Sequence, residues 1–260
     1  MSFHWHDRLR YVCLTLALLC VSIGARAEVL VIAGDPWCPV NCEPGSDQPG
    51  IFVELARDIF AEAGIEVQYR LVNWARALHA VRKGQLNAVI GAGHEDAPDF
   101  LFPSTPVSHS RMCFYAQPSS QWRFDGLVAL AGQRLGVIND YSYGAELDAY
   151  IQRHADDPTR VLLAYGDRAL GLNVDKLLGG RIDVTLANTW VMQNWLRRRG
   201  RSGQLRNVGC RTPDVPIYLA FSPALASSQR YLALFEAGLR RYREDGRLLR
   251  LLERYGVNEP

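Results

Sequence analysis

An alternation of strand, helix, strand, helix, strand runs through residues 29–90 and starts afresh at residue 134, and it limits the possible folds of this chain more than any other feature. In the first unit, residues 29–32 and 67–72 are β-rich, and Ala88, Val89 and Ile90 form a third short apolar run. Between them, Phe52, Leu55, Ala56, Ile59 and Phe60 recur at helical period within 51–63, which Gly64 closes. Residues 74–83 repeat the pattern with Ala75, Leu78 and Val81 on one side and Gly84 at the end. The second unit places strands at 134–138, 161–164 and 182–186, with helices at 143–154 and 168–178. Strands that alternate with helices of this length build parallel sheets covered by helices. Two α/β units are therefore expected. A last strand at 217–221 precedes helices at 231–245 and 248–255, broken at Gly246, and these need a sheet to cover. The first unit is the natural host.

The N-terminus carries Arg8 and Arg10, an apolar run over 11–24, and Ala25-Arg26-Ala27. This is the pattern of a cleaved secretory signal, with cleavage after Ala27. A membrane anchor needs roughly 20 apolar residues, more than this run supplies. Lipid attachment at Cys20 is the other alternative, opposed by the bulky Leu18-Leu19 before it. Removal of residues 1–27 takes Arg8, Arg10, Arg26 and Asp7, so 29 basic and 27 acidic residues become 26 and 26. A neutral chain has no electrostatic claim on nucleic acid or an anionic membrane. The one tight basic cluster, Arg197 to Arg199, follows an apolar helical stretch and suits a helix C-terminus.

Cys13 and Cys20 leave with the signal, and Cys38, Cys42, Cys113 and Cys210 remain in an oxidising compartment. Two disulfides are expected, with three pairings open. Zinc is the rival reading, but Cys38 and Cys42 lack a second close Cys or His pair. No metal and no cofactor are expected.

The chain resembles the family-3 extracellular solute-binding proteins, the polar amino-acid receptors of ABC importers. The resemblance rests on Asp35-Pro-Trp37 with Pro39, Pro49-Gly-Ile-Phe-Val-Glu54, Trp74, Lys83-Gly-Gln-Leu-Asn-Ala88 and Phe102-Pro-Ser-Thr-Pro106. It continues with Leu130-Ala-Gly-Gln-Arg-Leu-Gly-Val137, Gly180-Arg-Ile-Asp183 and Glu244-Asp-Gly246. It implies the two-lobed type II periplasmic-binding-protein fold, α/β throughout, each lobe a mainly parallel sheet flanked by helices. Lobe one would comprise residues 28–114 and 217–260, and lobe two 115–216, with hinge segments near 114–118 and 210–216. The ligand would lie at the carboxyl ends of strands, in the cleft between the lobes.

Carried over residue by residue, the resemblance puts Trp37 and Trp74 beside the ligand as aromatic walls. Arg76, in the first turn of a helix where a cation is disfavoured, is a candidate for an anionic ligand. Relatives that bind α-amino acids clamp the carboxylate with an Arg, yet the corresponding stretch 91–102 contains none. Gly93 and His94 still offer donors there, with Arg111 or Arg76 as possible substitutes. In lobe two, Tyr141, Ser142 and Tyr143 occupy a strand-to-helix turn suited to an anionic group, with Asp140 as a capping residue. Asn188 stands where many relatives carry the Asp that pairs with an α-ammonium. With both charge anchors altered, glutamate, glutamine, arginine and histidine are expected to bind weakly or not at all.

The resemblance also brings Cys113 and Cys210 together at the hinge, leaving Cys38 with Cys42. It implies a monomeric periplasmic protein that captures a small polar metabolite for the membrane subunits of an ABC importer and performs no chemistry. The alternatives are ligand sensing for a membrane signalling partner and a dehydratase-like activity using His94, Glu95, Asp96 and Asp99.

Overall fold

The computed structural model describes residues 28–139 and 141–257. The signal-peptide expectation and the reading of Asp140 lie outside the described residues.

The chain opens with β1 (Glu28–Gly34), α1 (Ile51–Ala61), β2 (Ile65–Leu71), α2 (Trp74–Arg82) and β3 (Ala88–Ala92), followed by the short β4 (Ser108–Ser110). In β2, Ile65, Val67 and Tyr69 turn inward while the residues between them are exposed, the period of two that a half-covered strand requires. Helix α1 begins at Gly50, whose φ of 119° and lack of a side chain are both needed: a Cβ there would stand 2.4 Å from the Asn41 Cα. The second unit runs β5 (Met112–Ala116), β6 (Leu135–Ile138), α3 (Ala145–Arg153), β7 (Val161–Ala164), α4 (Ala169–Leu178), β8 (Val184–Asn188), α5 (Thr189–Arg198) and β9 (Arg206–Cys210). The chain then returns through β10 (Val215–Phe221) to α6 (Ser228–Glu244) and α7 (Arg247–Arg254).

Two five-stranded sheets result, in the orders β2-β1-β3-β10-β4 and β7-β6-β8-β5-β9. Each has three parallel strands, as the α/β alternation predicts, and two more joined on one side by antiparallel pairing. The C-terminal helices do cover the first sheet. Phe60 of α1 stacks on Phe235 of α6 at 6.2 Å and meets Tyr231 edge-on at 5.9 Å, while the Tyr242 hydroxyl donates to Asp58 at 2.7 Å. The Tyr255 hydroxyl, just beyond α7, accepts from the Gly50 amide at 2.8 Å and donates to Glu54.

The hinge lies slightly upstream of its expected position. Residues 114–118 do not cross between the lobes, because β5 is a buried strand of the second sheet, paired on both sides with β8 and β9. The outgoing crossing is therefore Arg111, between β4 and β5, and the return is 211–214, between β9 and β10. The two crossings are clasped together. Arg111 pairs with Asp214 at 2.9 Å, and the Arg211 amide donates to the Met112 carbonyl at 2.8 Å. Both disulfides are formed, Cys38 with Cys42 and Cys113 with Cys210. The second joins register partners of β5 and β9 on the lobe-two side of the hinge.

Candidate functional site

The carboxyl ends of β1 and β3 in lobe one face the β6–α3 turn of lobe two, as expected of ligand sites in open α/β sheets. Chain direction alone places Asp35 and Trp37 there, directly after β1. Their loop is held rigid: Trp37 bridges Asn41, the 38–42 disulfide closes it, and the Asn41 amide donates to the Asp35 carbonyl at 2.6 Å and to the Tyr69 hydroxyl at 3.0 Å. The Trp37 ring lies against Gly91 of β3, where a Cβ would come within 3.0 Å of it and where φ is 83°. Glycine there makes room for the indole.

From lobe two, Tyr141 reaches across the cleft. Its hydroxyl donates to Asp35, and its ring meets Trp74 edge-on at 6.3 Å. Burial, reinforced by the Asp35 charge, pushes the Tyr141 phenol well above its ordinary value, so it remains a donor. Asn194 of α5 adds a second tie, donating to the Cys38 carbonyl at 3.2 Å.

Two adjoining cavities of about 60 and 30 Å³ lie between the lobes and share Asp35, Trp37, Met112 and Tyr141, and a wider opening of about 780 Å³ meets the smaller at Pro36 and Asp167 and carries Arg168, Arg198 and Arg199. Trp74, Gly93, Asp96, Ser110 and Ser142 also line the larger of the two cavities, and Asp167 and Asn188 belong to the smaller. Burial raises the carboxyl of Asp35 to about 6, against the lowering effect of the Tyr141 hydroxyl, with Asp167 and Asp96 adding like-charge repulsion. Asp96 is likewise raised to about 6 by burial, with Asp148 and Glu95 nearby, while the amides of Gly93 and Ser142 act in the opposite sense.

Of the residues singled out from sequence, Trp37, Trp74, Gly93, Tyr141, Ser142 and Asn188 line these cavities, and the others do not. Tyr143 is 1% exposed in the lobe-two core, its hydroxyl accepting from the Ile138 amide at 2.8 Å. It anchors the turn instead of facing the cleft. Arg76 projects from the exposed face of α2. His94 is exposed and stacks on Phe102 at 4.1 Å, and Arg111 is held at the hinge by Asp214. Asn188 also holds the fold together, because its Oδ1 caps α5 by accepting from the amides of Trp190 and Val191, and its Nδ2 donates to Ser110 at 2.8 Å. Asn188→Ala is expected to cost about 1–3 kcal/mol, the loss of a cap plus an unsatisfied buried hydroxyl, measurable by urea unfolding. Sequence reasoning does not assign Asp35, Asp96 and Asp167 to the binding site. Position after a strand is the available signal for Asp35.

The sequence matches the model of the bacterial extracellular solute-binding proteins, family 3, over residues 30–258. The chain belongs to that family. No curated protein sequence matches it. Among solved structures, this family-3 protein is similar to a histidine kinase sensor domain that resembles periplasmic binding proteins, with a TM-score of 0.71 and 20% identity over 90% of this chain and 98% of the other. It is also similar to an ancestral arginine-binding protein bound to arginine, with a TM-score of 0.69 and 16% identity over 88% and 98%. A Streptococcus mutans structure concerned with glutathione import through GshT and the cystine ABC importer TcyBC gives a TM-score of 0.74 and 15% identity over 89% and 96%. At these identities the fold is what is shared. The relatives are binding proteins, and among the described residues no helix is long and apolar enough to cross a membrane.

Proposed function

We propose that the protein is a monomeric periplasmic receptor that closes its two lobes on one small polar solute and presents it to the membrane subunits of an ABC importer, with no chemical step. The observation that carries this reading is the aromatic-lined cavity between the lobes, built from the ends of β1 and β3 on one side and the β6–α3 turn on the other. Two clasped crossings allow the lobes to bend apart, and Tyr141 and Asn194 provide contacts that form on closure. Sensing is the second reading, favoured by the likeness to a kinase sensor domain; the same closed state would then be reported to a signalling partner.

The test is a thermal-shift screen of protein recovered from the periplasm after expression of the full chain. The panel comprises amines, amino acids, organic acids and small peptides. A solute at about a hundred times its Kd stabilises the folded state by about 2.7 kcal/mol. For a chain of this size that raises the midpoint by about 5–10 °C. A uniformly silent panel would reject the receptor reading. N-terminal sequencing of the exported protein is expected to begin at Glu28.

A further inference from the structure

A ligand carboxylate needs a cation or free N–H groups to receive it, and three donors in the turns that meet at these two cavities already hold carboxylates of the protein itself. In lobe one the Gly93 amide donates to Asp96 Oδ2 at 2.7 Å. In lobe two the turn before α3 is filled in the same way: Asp148 accepts from the Tyr143 amide through Oδ1 and from the Ser142 hydroxyl through Oδ2, each at 2.7 Å. The turn that leads into α3 thus already holds a carboxylate at its entrance. No Lys, Arg or His lines either cavity among the described residues, and the charged side chains that do are Asp35, Asp96 and Asp167.

Three carboxyl groups and the rings of Trp37, Trp74 and Tyr141 surround one small space. Aromatic faces attract cations through their quadrupole, and partly desolvated carboxylates attract them by charge. An incoming carboxylate meets repulsion from all three aspartates and finds the Gly93 amide and the Ser142 hydroxyl taken. The volumes, about 60 and 30 Å³, suit a molecule of short-alkylamine size better than a peptide.

We propose that the cleft binds a small organic cation that carries no carboxylate, with its positive centre at Asp35 among the rings of Trp37, Trp74 and Tyr141. This rests on the receptor reading and names its solute class. On binding, the ammonium takes the place of the Tyr141 hydroxyl as the donor to Asp35, which exchanges a neutral donor for a charged one.

Isothermal titration with matched pairs tests it: butan-1-amine against norvaline and agmatine against arginine, each pair differing by one carboxylate, with choline as a quaternary probe. At least one amine is expected to bind tenfold or more tighter than its carboxylated partner. Asp35→Asn is expected to weaken that amine at least tenfold, and Trp74→Phe less, with circular dichroism unchanged in both. A carboxylated partner that binds as tightly as its amine, or silence from agmatine, butan-1-amine and choline together, overturns the inference. Binding of norvaline or arginine alone would reject the cation while leaving the receptor reading intact; that reading falls only if the wider solute panel is silent too.

Discussion

Replacing Cys113 and Cys210 together by serine is expected to lower folding stability by about 4–5 kcal/mol and the thermal midpoint by about 10–20 °C. The bridge closes a loop of 97 residues of separation that spans the whole of lobe two, so its loss frees a large denatured ensemble. Its partners face each other across the β5–β9 ladder, and Cys113 is fully buried. The 38–42 bridge spans a separation of only 4, and by the same loop relation its removal costs roughly 2 kcal/mol. Guanidinium unfolding of the two double-serine variants makes the comparison. Equal costs, or a larger cost for the short bridge, would show that the long one does not constrain the unfolded chain as supposed. Position also matters for the hinge: the long bridge ties β5 to β9 just where both leave for lobe one, so its loss is expected to loosen the base of lobe two.

The helices and central strands are legible in the sequence because each buries one face and so carries a period. Residues 51–63 repeat at 3.6 and β2 alternates at two; residues 74–83 do form a helix, but its buried side is Trp74, Ala77, Ala80 and Val81, with Ala75 exposed and Leu78 half-buried. Strand β5 escapes such a reading because all five of its residues are buried. A short, uniformly apolar run has no period to declare, and the same letters suit a hinge or a strand. The displacement of the crossing from 114–118 to Arg111 follows directly from that ambiguity.

At the site, placement is legible and pairing is not. Trp37, Trp74 and Tyr141 follow from the ends of β1, β2 and β6, because strand direction decides which loops meet. What Asn188, Arg111 and Tyr143 do depends on neighbours that the sequence does not declare: Ser110, Asp214 and Ile138. Asn188 is equally compatible with a ligand and a helix cap until the amides of Trp190 and Val191 are seen to take its oxygen. Asp148, inside the helix predicted over 143–154, accepts from the Ser142 hydroxyl and the Tyr143 amide in the turn before it, a pairing that no period declares.

The strongest consequence of that acidic lining is a pH profile in which stability and affinity move in opposite directions. Asp35 and Asp96 titrate near 6 in the folded protein against roughly 3.9 in an unfolded chain. The folded state therefore holds more protons than the unfolded state between about pH 4 and 6, and without ligand its stability falls as pH rises through that window. At about 1.4 kcal/mol for each pH unit by which the two values differ, the change across the window is up to about 3 kcal/mol for each carboxyl. A cation reverses the preference, because it binds the ionised carboxylates. Its affinity is expected to rise about tenfold from pH 5 to 7 if Asp35 alone must ionise, and about a hundredfold if Asp96 must as well, then to level off. The groups acting on Asp35 are Asp167, Asp96 and the phenols of Tyr141, Tyr143 and Tyr69, and those acting on Asp96 are Asp148, Glu95 and the Tyr141 phenol. His94→Asn, at an exposed ring that lines neither cavity, is the control that should retain the profile. Titration of the tightest-binding amine at half-unit steps from pH 5 to 8 gives the measurement. Asp35→Asn is expected to flatten the rise as well as lower it. An affinity that is flat, or that falls as pH rises, would mean that the carboxylates of the cleft do not hold the charge of the solute.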